Sequence, residues 1–173
     1  IASALYRTAT PDFYRQIALS LRVGEEVPIE MILQHLESIG YERREPVEMA
    51  GEFSQRGGIV DIFPADAVRP IRLEFFGDEI ESIRRFEVDS QRSIQKLMEV
   101  TILPLTECPK SRKLLSDIAD RFQPENQASL IDPFPGWEFY VPLIEPRTTS
   151  LLDFEKDALI VLDEPEAIEQ AAE

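Results

Sequence analysis

Gly51–Pro64, GEFSQRGGIVDIFP, followed by Ile71–Ile83, IRLEFFGDEIESI, decides the fold. Arg56-Gly57-Gly58 reads as a hairpin turn, because glycine accepts positive φ without strain. Ile59–Phe63 returns as an apolar strand that stops at Pro64. Ile71–Phe76 alternates cleanly enough to assign faces: Ile71, Leu73 and Phe75 point one way, Arg72, Glu74 and Phe76 the other. Gly77-Asp78 turns the chain into Glu79–Val88. There Ile80, Ile83, Phe86 and Val88 break a strict period of two, which predicts a bulge near Ser82.

Working outward, Tyr41–Gln55 reads as extended chain. Ahead of it, Ile29, Ile32, Leu33, Leu36 and Ile39 recur at helical spacing, with Pro28 suited to the first turn and Gly40 to the C-terminal cap. Ile17–Val23 alternates as a half-buried strand. A helix and a meander of four to five strands make an antiparallel α+β module over residues 20–105. From Thr106 the character changes. Ser111–Phe122 is a short amphipathic helix, and Gln123–Gly136 is a connector. Leu159–Leu162 has the apolar form of a buried parallel strand, which needs a sheet to join.

Composition narrows the chemistry. The 173 residues carry a formal charge of -15, from 33 acidic and 18 basic residues. Phosphate backbones repel such a chain, so non-specific nucleic-acid binding is not expected of it. Cys108 is the single cysteine, which excludes an internal disulfide or a multi-cysteine zinc site and points to a reduced, cytoplasmic setting. No apolar run reaches membrane-spanning length and no signal peptide opens the chain. A start at Ile1 and an acidic, helix-like end suggest a segment of a longer protein.

Catalytic parts are scarce. His35, the one histidine, lies mid-helix and reads as a core-edge residue. Cys108 has no histidine near it in sequence and reads as an inert thiol. Asp78, Glu79 and Glu81 lack calcium-loop spacing and read as a solvated turn. Asp163-Glu164 closes an apolar run as a magnesium-holding Walker B segment does, yet no GxxxxGK[ST] phosphate loop accompanies it. Arginine usage is the stronger signal. Between Tyr41 and Phe86 stand seven arginines, no lysine and ten acids. Arginine's planar fork suits carboxylates at protein interfaces. Two readings stay open: charges paired across strands with Glu74 or Glu81, or a docking face on which Phe76 adds an exposed aromatic.

The strings GYERREPVEMAGEFSQRGGIVDIFP, IRLEFFGDEIESIRRFEVDSQRS and VTILPLTE closely resemble the bacterial transcription-repair coupling factor (Mfd) family, in its N-terminal UvrB-homology region. FxxRGGIVDIFP and RLEFFGDEIES are shared in form with the excision nuclease subunit UvrB; FEVDSQRS and VTILPLTE are similar to Mfd instead. The resemblance implies a UvrA-binding module over residues 20–105, inserted into a degenerate RecA-like α/β domain whose parts are residues 1–19 and 106–173. It implies Arg56, Arg72, Glu74, Phe76 and Arg43 as UvrA-contacting positions. Ser54 departs from UvrB, where an arginine is usual, and Arg56 or Arg44 could compensate. LLDFEKDALIVLDEP is similar to the UvrB segment with helicase motif II, so Asp163 and Glu164 imply a degenerate motif.

The expected role is docking without catalysis: recruitment of UvrA to stalled RNA polymerase in nucleotide excision repair. No cofactor is expected in this chain; the resemblance puts ATP and magnesium, and contacts to DNA and RNA polymerase, in other domains of a translocase parent. The chain is expected to be monomeric and away from membranes. Two alternatives are a helicase fragment with residual nucleotide or DNA binding, and an intramolecular autoinhibitory latch over the same face. On this reading Arg72→Ala or Phe76→Ala leaves the fold intact and abolishes UvrA capture.

Overall fold

Two-residue turns after Arg56 and Phe76 fix the registers of the central strands, and the rest of the fold is built on them. The computed structural model describes residues 7–122, 134–154, 157, 159, 161 and 163–172. In chain order its elements are α1 (Pro11–Ile17), β1 (Leu19–Arg22), α2 (Ile29–Ser38), β2 (Glu42–Arg43), β3 (Glu52–Arg56), β4 (Ile59–Ile62), β5 (Ile71–Phe76), β6 (Glu79–Phe86), β7 (Ser93–Leu97) and β8 (Glu99–Ile102). Then follow α3 (Arg112–Phe122), a 3-10 turn (Trp137–Tyr140), α4 (Val141–Ile144), a second 3-10 turn (Leu151–Asp153) and α5 (Pro165–Ala172).

β2 to β7 form a six-stranded sheet in sequence order, while β1 and β8 pair as a separate antiparallel ribbon. Every pairing in the larger sheet is antiparallel except β2 with β3. The fold is therefore mixed α and β with antiparallel sheets, as expected. Its strands outnumber the expectation: β1 falls within the expected Ile17–Val23 strand, whereas β7, nearly all of it exposed, carries no apolar alternation to announce it. The predicted bulge is present: Glu74 pairs with Ser82 and Phe75 with Ile80, so Glu81 is the extra residue. Tyr41–Gln55 is not one extended run. Gly51, at φ 92, breaks it, and its N–H bonds to the Phe63 carbonyl at 2.8 Å.

One face of the sheet presents Phe53, Val60, Ile62, Ile71, Leu73, Ile80 and Ile83, all buried against Ile32 and Leu36 of α2 and against Leu21 and Ile102 of the ribbon. Each such side chain contributes about 1.5–3 kcal/mol by leaving water, so this packing holds the module together. The residues between them in sequence point to the opposite face, where the candidate site lies.

The flanks join each other. Thr8 and Thr149 form a bridge, and the Thr149 hydroxyl meets the Thr8 and Ala9 carbonyls at 2.8 Å each. Leu114, Ile118, Trp137 and Val141 form a second small core. Helix α1 was not expected, although Thr10 accepts a hydrogen bond from the Phe13 N–H at 3.2 Å and Pro11 opens the helix, both ordinary start signals. The expected strand at Leu159–Leu162 is corrected. Leu159 and Val161 belong to no strand and are exposed; positions 158, 160 and 162 lie outside the described residues. An apolar run forms a buried strand only beside a partner, and the described strands all pair elsewhere. Of the expected connector at 123–136, residues 123–133 lie outside the described set. No helix among the described residues is long and apolar enough to cross a membrane.

Candidate docking interface

Asp61 sits at the middle of the outward sheet face. Its neighbours Val60 and Ile62 point into the core, so strand alternation turns Asp61 outward, in register with Ser54 on β3 and Arg72 on β5. Its carboxylate is nonetheless buried, with 4% of the side chain exposed. Arg72 covers it in bidentate fashion, Nε to Oδ1 at 2.7 Å and Nη2 to Oδ2 at 2.8 Å. Arg56 reaches Oδ2 from the next strand at 3.0 Å. The hydrogen bond to Asp61 raises the pKa of Arg72, which is 15% exposed and lies over the Phe86 ring, 4.5 Å from its centroid. Arg72 Nη2 also meets Gln91 Oε1 at 2.9 Å.

Around this centre the charges are paired. Glu74 accepts from Arg84 Nη2 at 2.9 Å and from the Ser82 hydroxyl at 2.6 Å. Arg84 stands in register with Arg72, and its buried Nε has no partner. Arg44 pairs with Glu42 at 3.1 Å. Arg56 remains half exposed, at 49%. Phe76, at the end of β5 before the Gly77 turn, is 80% exposed. Gly58 belongs to the next turn along, where an added Cβ would lie 3.0 Å from the Phe75 carbonyl. The two hairpin tips thus stand against each other and carry Arg56 and Phe76 to one end of the sheet.

Four of the five expected contact residues therefore share a face: Arg56, Arg72, Glu74 and Phe76. Arg43 does not. It bonds to Gln55 at 3.1 Å, and Gln55 alternates with Ser54 and Arg56, so Arg43 lies on the other side. Sequence reasoning missed Asp61, Gln91 and Phe86. Asp61 was reachable from the IVDI alternation taken together with the IRLEFF phase; Gln91 carried no such signal. The cross-strand pairing reading is borne out for Glu74 with Arg84, but Arg72 pairs with Asp61.

Other candidates lie elsewhere. His35 Nε2 contacts the Ile17 carbonyl at 2.8 Å, at the edge of the core. Burial raises the pKa of the Cys108 thiol against the opposing effect of Arg147, 3.7 Å away, which suits an unreactive sulfur. Asp163 and Glu164 are exposed, in a bend before α5. No group of metal-ligating side chains comes together among the described residues.

A family described as the UvrB interaction domain matches residues 19–107, which run from the first residue of β1 past the end of β8. The chain belongs to this family. The UvrB interaction domain here thus comprises the ribbon, α2 and the whole six-stranded sheet. Proteins named transcription-repair-coupling factor match over a longer stretch. That of Haemophilus influenzae is 30% identical across 94% of this chain and 15% of its own length. That of Staphylococcus aureus strain MRSA252 is 30% identical across 99% of this chain and 17% of its own, and that of Myxococcus xanthus 32% across 98% and 16%. The chain spans about a sixth of the length of these curated relatives. Matches that continue beyond the UvrB interaction domain on both sides bear out the UvrB-homology region of the coupling factors.

Proposed function

We propose that this UvrB interaction domain is a non-catalytic docking module that binds UvrA through the outward sheet face and, within a coupling factor, recruits UvrA to stalled RNA polymerase. The observation that carries the reading is an 80% exposed Phe76 on the same sheet face as arginines already ordered by Asp61. Exposed aromatics and arginines dominate binding energy at protein interfaces, and a rim of paired charges keeps water from the centre. Arg56, which meets Asp61 and also lies 4.0 Å from Glu45, stays half exposed and can turn its guanidinium to an acidic group on UvrA. Arg43 is left out of this contact by its place on the other face.

The absence of a phosphate loop from the sequence supports a module without ATPase chemistry. ATP, magnesium, DNA and RNA polymerase contacts then belong to other parts of the parent. Residues 1–19 and 106–173 are read as parts of a degenerate RecA-like domain, a reading the Thr8–Thr149 bridge supports by bringing the flanks together.

The test is UvrA binding by the intact chain on a biosensor. Phe76→Ala should weaken binding about 30-fold or more, as for an anchor worth about 2 kcal/mol, and leave the melting temperature unchanged. Unaltered UvrA affinity would remove the site.

A further inference from the structure

A guanidinium has five N–H donors. In Arg72, Nε donates to Asp61 Oδ1 at 2.7 Å, and Nη2 donates to Asp61 Oδ2 at 2.8 Å and to Gln91 Oε1 at 2.9 Å. The two donors of Nη1 remain, and the group is braced from another side by the Phe86 ring. The Gln91 contact is unusual in its backbone. Gln91 has φ 55, a left-handed conformation that costs a non-glycine residue. Its N–H bonds to the Glu87 carbonyl at 2.8 Å, and its side-chain amide is divided between Arg72 and the Val88 carbonyl, also at 2.8 Å. Backbone strain persists where the surroundings over-determine it, and it concentrates at functional sites. Here the strained residue ties the β6–β7 turn to the central arginine of the docking face.

We infer that Asp61 and Gln91 are positioning residues of this face: together they hold the Arg72 guanidinium in one pose and leave its Nη1 donors, beside Arg56, for a carboxylate of the partner. The inference rests on the docking reading above. A free surface arginine loses rotamer freedom when a partner immobilises it, whereas Arg72 has lost that freedom on folding. Preset donors therefore bind more tightly for the same contacts.

The experiment uses the intact chain and two readouts, UvrA affinity on a biosensor and solvent exchange of the Arg72 Nε–H by NMR, with Phe76→Ala as reference. Wild type should show a slowly exchanging Nε–H. Gln91→Gly relieves the backbone and keeps Asp61, so its melting temperature should hold while UvrA binding weakens about threefold or more. Asp61→Asn should lose the slow exchange and about tenfold or more in affinity. If Asp61→Asn does not fold, Gln91→Gly decides. Variants that bind UvrA within about twofold of wild type, while Phe76→Ala fails, overturn positioning and leave docking standing. If Phe76→Ala binds as wild type does, docking fails and this inference with it. A rapidly exchanging Nε–H in wild type also overturns it.

Discussion

Arg72→Ala should destabilise the fold, contrary to what an outward arginine on a half-exposed strand suggests. Removing one partner of a buried ion pair costs about 3–5 kcal/mol, because the remaining charge is left out of water. Asp61 is such a charge, with 4% of its side chain exposed. Arg56 stays on Oδ2 at 3.0 Å but is itself 49% exposed, which brings the loss to the lower end of that range. Uncovering Phe86 adds about 0.5–1 kcal/mol. We expect about 3.5–4 kcal/mol in all, or a little under about 2 M in the urea midpoint at a slope near 2 kcal/mol per M. Arg56→Ala should cost less than about 1 kcal/mol, as exposed pairs do, and Phe76→Ala nothing measurable. Equilibrium urea unfolding followed by circular dichroism checks the series. A loss below about 1 kcal/mol for Arg72→Ala, or a greater loss for Arg56→Ala, would refute the burial argument. Loss of UvrA capture by Arg72→Ala mixes folding with docking, so Phe76→Ala is the cleaner probe.

Three further outcomes follow from the packing around the sheet. Gly51→Ala, at φ 92 and with a new Cβ 2.9 Å from Leu105 Cδ1, should cost about 1–3 kcal/mol in urea, and truncating Leu105 in the same chain should restore only the steric part. Tyr41→Phe removes a hydroxyl that donates to the Leu103 carbonyl at 3.0 Å and accepts from the Ala65 N–H at 3.1 Å. It should cost about 1–3 kcal/mol and speed hydrogen exchange at Ala65. Glu52 accepts from the Glu48 and Met49 amides at 2.8 and 2.9 Å, which hold its pKa below the ordinary 4.5. A depressed folded pKa stabilises above the unfolded value and is lost as pH falls, so Glu52→Gln should narrow the gap between urea midpoints at neutral pH and about pH 3.

The central strands were legible because their side chains alternate and their turns contain glycine, two signals that act within a few residues. The faces of Ile71–Phe76 follow directly, as does the bulge beside Ser82. What escaped depends on neighbours distant in sequence. Asp61 reads as an ordinary solvated carboxylate until Arg72, eleven residues on, and Arg56 close over it. Gln91 gives no warning of its φ, since it is held there by bonds to Glu87, Val88 and the distant Arg72. At the other end, Leu159 and Val161 carry strand-like side chains with no described strand beside them, and periodicity says nothing about whether a partner is present.

The β1–β8 ribbon has a consequence for how the module can be moved. Leu19 pairs with Ile102, so the chain enters and leaves the module through adjacent antiparallel strands. A segment whose two ends meet can be grafted into a foreign loop, or its ends joined and the chain reopened elsewhere, with little loop-closure entropy to overcome. Residues 19–102 are thus a transplantable cassette, and the ribbon is its stem.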